Sequence, residues 1–125
     1  MEQYKLFEAE FKFMCIVWEA EPLTTRRLTE LCREKLGWKR TTTYTVLRKL
    51  SDRGIVQNVS STVSSIVKRE QVQKYESKVV VEKAFGGSLP KFIAAFLDDK
   101  TLSEDEAEEL KQLIDRHKEA KNGIF

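Results

Sequence analysis

A chain of 125 residues holds about one domain, or a small domain with an oligomerisation appendage, which excludes a two-domain enzyme. With 34% charged and 41% hydrophobic residues but only 5 Gly and 2 Pro, the composition is that of a mostly helical globular chain with little room for a nucleotide-binding loop or a low-complexity tail. The 22 basic and 20 acidic residues leave a net charge of +2, so bulk charge announces no nucleic-acid partner and the charges must be located segment by segment.

Residues 6–20 place Phe7, Phe11, Met14 and Trp18 at helical spacing, and Phe13, Ile16 and Val17 widen this stripe into a buried face. Glu21-Pro22 ends the first helix, because proline disfavours helical geometry in the residue before it. Thr24 or Thr25 caps a second helix that carries Leu28, Leu31, Cys32 and Leu36 and ends at Gly37. Residues 39–53 form a third, with Thr43, Val46, Leu47 and Leu50 inward and Gly54 as its terminator. The period then changes. Ile55, Gln57 and Val59, a polar Ser60-Ser61-Thr62 turn, and Val63, Ile66 and Val67 read as a two-stranded hairpin that must pack on the helices to be stable. A fourth helix runs from Lys68 through Val72, Tyr75, Val79, Val80 and Phe85 to Gly86-Gly87. Residues 88–98 form a short fifth helix holding Leu89, Phe92, Ile93, Phe96 and Leu97, with Pro90 in a first turn that tolerates it. The last helix opens on the capping box Ser103-Glu-Asp-Glu106 and presents Leu110, Leu113 and Ile114.

The predicted fold is mainly α with a small β-hairpin: a winged helix-turn-helix over residues 1–67, then a helical linker and dimerisation region over residues 68–125. The order helix, helix, helix, hairpin is the winged-helix order. The tail has no core of its own, so its apolar residues need a cover. A second copy meeting Val80, Phe85, Leu89, Phe92, Ile93, Phe96, Leu97, Leu110, Leu113 and Ile114 in an isologous dimer is the economical one, with folding back onto the N-terminal domain as the alternative.

Inventory argues against an enzyme. Cys15 and Cys32 form no CxxC pair and sit among apolar residues, as reduced core cysteines do. His117, the single histidine, lies in the charged run Asp115-Arg116-His117-Lys118, so neither a zinc site nor a histidine-based triad can be assembled. No metal and no cofactor is expected. Met1-Glu2 opens no cationic run into an apolar one, and nothing approaches the ~18–20 apolar residues of a membrane span. A cytoplasmic protein without membrane insertion is expected.

The third helix carries the chemistry. Opposite its core stripe it shows Arg40, Thr41, Tyr44, Thr45 and Arg48, with Thr42 and Lys49 flanking and no carboxylate before Asp52. Arginine forks bind guanine edges or phosphates, threonine methyls meet thymine, and an aromatic packs along sugar edges. Residues 22–58 carry a charge of +6 and residues 98–119 a charge of −5, so a basic head and an acidic tail hide inside the neutral total, and salt-sensitive DNA binding follows from the head. Lys39 opens the same helix. Arg26 and Arg27 are either phosphate clamps or merely exposed, and Trp38 offers an apolar body for packing as well as one N–H donor for a phosphate. The wing has no Lys or Arg between Val56 and Val67. The expected partner is double-stranded operator DNA, and the competing reading is a winged-helix protein-interaction module without sequence-specific DNA binding.

Several runs carry a family resemblance. They are Phe7-Glu-Ala-Glu-Phe-Lys-Phe-Met-Cys-Ile-Val-Trp18, Pro22-Leu-Thr-Thr-Arg-Arg-Leu-Thr-Glu-Leu31, Gly37-Trp-Lys-Arg-Thr-Thr-Thr-Tyr-Thr-Val-Leu-Arg-Lys-Leu50 with Asp52-Arg-Gly-Ile-Val56, and in the tail Phe85-Gly-Gly-Ser-Leu89 and Leu102-Ser-Glu-Asp-Glu-Ala-Glu-Glu-Leu-Lys-Gln-Leu-Ile114. Together they resemble the penicillinase-repressor family of BlaI, MecI and CopY. The resemblance implies a homodimeric repressor whose recognition helix, Arg40 through Arg53, occupies a dyad-symmetric operator. In the BlaI and MecI branch it further implies release through a membrane sensor-protease system that cleaves an Asn-Phe bond in the dimerisation region. The aligned pair here is Ala95-Phe96, which lacks that asparagine and leaves open a different bond or protease. The copper-responsive branch carries a C-terminal cysteine cluster, whereas this chain ends Lys121-Asn-Gly-Ile-Phe125. The family's hairpin commonly holds a basic residue and a tyrosine, both missing here, so specificity is expected to rest on the third helix.

Overall fold

A computed structural model describes residues 4–118. The opening Met1-Glu2 and the final run 121–125 lie outside the described residues. The chain runs α1 (Glu8–Ala20), β1 (Leu23–Thr24), α2 (Thr25–Leu36), α3 (Arg40–Asp52), β2 (Val56–Val59), β3 (Thr62–Ser65), α4 (Arg69–Phe85), α5 (Leu89–Leu97) and α6 (Glu104–His117).

The core is built by α1, α2, α3 and the sheet. Phe13, Met14 and Val17 of α1 meet Leu28 and Cys32 of α2, Leu47 and Leu50 of α3, and Ile55, Val56 and Val63 of the wing, all at least nine-tenths buried. The buried face of α1 is rotated from the expected stripe: Phe7 is exposed and Phe11 and Trp18 are half-buried. The expected widening residues Phe13, Ile16 and Val17 are buried, with Glu10 one turn before them. Burying three such side chains supplies the driving force that aligns the helices, at roughly 1.5–3 kcal/mol each.

The wing keeps the expected hairpin, β2 paired with β3, and adds a third strand to it. It is a three-stranded antiparallel sheet in the order β1-β3-β2, because Leu23 and Thr24 pair with Val63 and Thr62. Two residues carry no period, so the strand was invisible as a pattern; only the tertiary pairing creates it. Val56, rather than Gln57 or Val59, faces the core, and Val59 lies open at the far end of β2. Ser60 and Ser61 make the turn with positive φ at both positions, the primed geometry whose twist matches a hairpin. The Ser61 carbonyl accepts from Thr25 N–H at 3.0 Å, tying the turn to the start of α2.

Local chemistry sets the helix ends. Thr24 Oγ1 accepts from Arg27 N–H at 3.0 Å, fixing the start of α2. Gly37 closes α2 at φ +70° and Gly86 closes α4 at φ +55°, a left-handed conformation that costs other residues more. Ser103 Oγ accepts from Glu106 N–H at 3.1 Å, the forward arm of the expected box. Polar ties join the wing to α1 and to the next helix. Ser65 donates from N–H and hydroxyl to the Glu21 carboxylate at 2.6 and 2.9 Å, and Lys68 Nζ donates to the Ser65 carbonyl at 2.9 Å. Trp18 Nε1 donates to the Val67 carbonyl at 3.0 Å, while Arg69 lies over the Trp18 ring and pairs with Glu19.

Val72 of α4 is fully buried and is the last residue of the hydrophobic core among the described residues. Beyond it, Tyr75 of α4 still meets Tyr4 edge-on at 6.3 Å. Farther on, α5 leans on α4 through an edge contact of Phe85 with Phe92 at 5.5 Å. Cys32 is buried and Cys15 half-buried; burial pushes both thiols up from their ordinary value.

Candidate nucleic-acid interface

The outer face of α3 is what remains after Thr43, Leu47 and Leu50 have turned inward. Helical spacing then places Thr41, Thr45, Arg48 and Asp52 outward, with Arg40 and Tyr44 on the edge nearest α2 and Thr42 and Lys49 on the edge nearest α1. Arg40, Thr41, Thr42, Tyr44, Thr45, Arg48 and Lys49 are all exposed. Thr45 Oγ1 donates to the Thr41 carbonyl at 2.9 Å, so its hydroxyl is engaged and its methyl group is presented. Such a methyl suits the C5-methyl of thymine better than a phosphate.

The start of α3 is electropositive by construction. Lys39 at the N-cap makes no side-chain cap, and the first turn holds no acid. Uncapped N–H groups and the positive end of the helix dipole therefore point outward beside Lys39 and Arg40, an arrangement that favours an anion. The Arg40 guanidinium lies over the Tyr44 ring at 5.6 Å. The Tyr44 phenol is drawn below its ordinary value, chiefly by the Thr25 hydroxyl within hydrogen-bond reach and then, against burial, by Arg40.

Between α2 and α3 lies an open cleft lined by Thr25, Arg26, Thr29, Glu30, Arg33, Arg40 and Tyr44. Arg26 and Arg27 both pair with Glu30, at 3.7 and 3.2 Å, and both remain exposed. These pairs are weak enough in water to yield to a phosphate. Arg33, not among the expected site residues, lines this cleft as well, and its position seven after Arg26 puts both on one face of α2. Asn58 of β2, also not among them, shares a second cleft with Tyr44, Leu47, Arg48 and Ser51, and only the fold brings that strand to α3.

Two expected site residues have partners within the protein. Trp38 is half-buried, its ring stacked on Phe13 at 6.2 Å and 14°. Lys49 Nζ is 3.8 Å from the Glu10 carboxylate. The wing is neutral, with exposed Gln57, Asn58, Val59, Ser60, Ser61 and Thr62.

The tail residues fall into two groups. Leu89, Ile93, Phe96, Leu110, Leu113, Ile114 and Val80 are exposed, and Phe85, Phe92 and Leu97 are half-buried around the Phe85, Phe92, Phe96 ring series. Ala95 and Phe96 are both exposed in the last turn of α5. His117 is exposed on α6. Among the described residues no cluster of three metal-ligating side chains forms, and no helix is long and apolar enough to cross a membrane.

Residues 6–116 match the family model described as penicillinase repressor. The chain belongs to the penicillinase repressor family. Its members are regulators of the BlaI and MecI type and not enzymes. The chain is 24% identical over 117 residues to the methicillin resistance regulatory protein MecI of Staphylococcus aureus (strain Mu50 / ATCC 700699), covering 90% of this chain and 95% of that one. It is 22% identical over 122 residues to the penicillinase repressor of Bacillus licheniformis, covering 94% of each. An uncharacterized 16.5 kDa protein in the ptsI 3' region of Latilactobacillus sakei is 26% identical over 114 residues, 85% of this chain and 75% of that one. The three-stranded wing on a helical core agrees with a winged-helix member of this repressor family.

Proposed function

We propose that this repressor acts as a homodimer on a dyad-symmetric operator, each copy laying α3 into a major groove. The observation that carries the reading is the outer face of α3, on which Arg40, Thr41, Tyr44, Thr45 and Arg48 are exposed together at an uncapped, acid-free helix start. Thr41, Thr45 and Arg48 face base edges in this proposal, while Arg26, Arg27, Arg33 and Lys39 grip phosphates on either side.

The apolar faces of α5 and α6 support the dimer. Phe96 is 54% and Ile114 62% exposed, and a soluble chain seldom leaves so many large apolar residues open without a partner. A second copy offers the same faces about a two-fold axis, which also sets two α3 helices about one turn of DNA apart, or a multiple of it. The domain division is then a winged-helix reader up to about residue 67 and a helical dimerisation region after it, joined through the first turns of α4.

Release remains with the family's sensor-protease route as a partner class, acting at a bond other than an Asn-Phe pair, since Ala95 precedes Phe96. The test is a fluorescence-anisotropy titration of the protein with its own promoter DNA and with random duplex across a salt series. Preference for promoter DNA with a steep salt dependence is expected. Equal, shallow binding to both would favour the protein-interaction reading instead.

A further inference from the structure

Glu10 is the only buried charged side chain among the described residues. It lies on α1 and its carboxylate faces three donors: Phe7 N–H at 2.9 Å, Arg53 Nη1 at 3.2 Å and Lys49 Nζ at 3.8 Å. The other terminal nitrogen of Arg53 donates to the Lys5 carbonyl, so this guanidinium bridges the start of α1 to the C-terminal cap of α3. A buried carboxylate is costly to leave unpaired; of its two cationic partners Arg53 is the closer and more enclosed, 30% exposed, while Lys49 is 63% exposed. Nearby, Glu8 is already paired with Lys12 on the outer side of α1.

We propose that Glu10 is a specificity-setting positioning residue for DNA binding: it keeps Lys49 and Arg53 on the α1 flank of α3 and withholds their charges from the phosphates. This rests on the DNA-binding reading above. Sequence-blind affinity grows with the number of phosphates neutralised, each adding about −0.9 to the slope of log affinity against log salt. Base contacts by Thr41, Thr45 and Arg48 fix the orientation of α3 on selected DNA but not on random DNA, so freeing two flanking cations raises random binding more than selected binding.

Glu10→Gln in the full chain keeps the size and the acceptor for Phe7 N–H but removes the charge. Binding is read by anisotropy on a 30-bp random duplex and on a duplex selected from a random pool, at about 50–300 mM KCl. The slope on random duplex should steepen by about 1 to 2, and the ratio of selected to random affinity should fall about threefold to tenfold. A folded Glu10→Gln with unchanged slope and ratio overturns the inference. Lysine-acylation footprinting of the unaltered protein provides a measurement that does not depend on the variant folding. Lys39 should be protected by duplex while Lys49 keeps its reactivity, and protection of Lys49 overturns the inference. A wild type with no salt-dependent duplex binding would overturn the DNA reading and this inference together; a binding wild type matched by Glu10→Gln overturns this inference alone.

Discussion

Thr43 Oγ1 is buried on the inner face of α3 with no hydrogen-bond partner among the described residues. The Cys32 thiol beside it, raised by burial and drawn back by Thr43, is a weak partner at best. A buried hydroxyl left unmatched costs about 1–3 kcal/mol, and valine has the same shape without it. Thr43→Val is therefore expected to leave stability unchanged or raise it by up to about 1 kcal/mol, checked by urea denaturation. Arg48 is the opposite case, exposed on the outward face with no structural duty visible in its surroundings. Arg48→Ala should lower affinity for promoter DNA about tenfold or more, the loss of a base or phosphate contact, while the melting temperature moves by less than about 1 °C. A large drop in melting temperature would place Arg48 in the fold and not in the interface. Between these extremes Glu10 shows how misleading residue type can be. A glutamate in the stripe of a helix reads as a solvated edge, and only the approach of Arg53 and Lys49 from 43 and 39 positions away makes it a buried one.

At the scale of elements, the turn of the wing is the least settled piece of local chemistry. Ser60 and Ser61 hold φ of +52° and +63°, where a residue with a Cβ is disfavoured by roughly 1 kcal/mol or more. Asparagine followed by glycine is the pair that such a turn prefers. The double change Ser60→Asn, Ser61→Gly should raise stability by about 1 kcal/mol, measured as a shift in denaturation midpoint with unchanged slope; destabilisation would mean that the serines make contacts that offset their strain. The periods of α2 and α3 were legible because Leu28, Leu31 and Cys32, and Thr43, Leu47 and Leu50, recur at the spacing that one packed face demands. The rotation of α1 was not legible, since its sequence is apolar on nearly every side and the choice among faces belongs to the helices that meet it.

For the whole molecule, the charge asymmetry and the open apolar tail point the same way. A basic reader at one end and an acidic, apolar helical region at the other suit two copies joined away from the duplex, with the acidic part repelled by phosphates. Phe96→Glu should convert a concentration-dependent dimer to a monomer in sedimentation, and weaken operator binding by about 10²-fold or more because the two half-sites are no longer engaged together. An unchanged sedimentation mass would sink the dimer proposal.

The sequence by itself determined the order of the helices, the hairpin, the inward face of α3 and hence its outward one, because these follow from local period, caps and turn chemistry. It also carried the family, through strings too particular for a generic helix-turn-helix. Tertiary structure alone decided the third strand, the stacking of Trp38 on Phe13, the cleft that Arg33 shares with Arg40, and the capture of Lys49 and Arg53 by Glu10. Each of these depends on residues far apart in the chain arriving at one place, and no local spacing records that arrival.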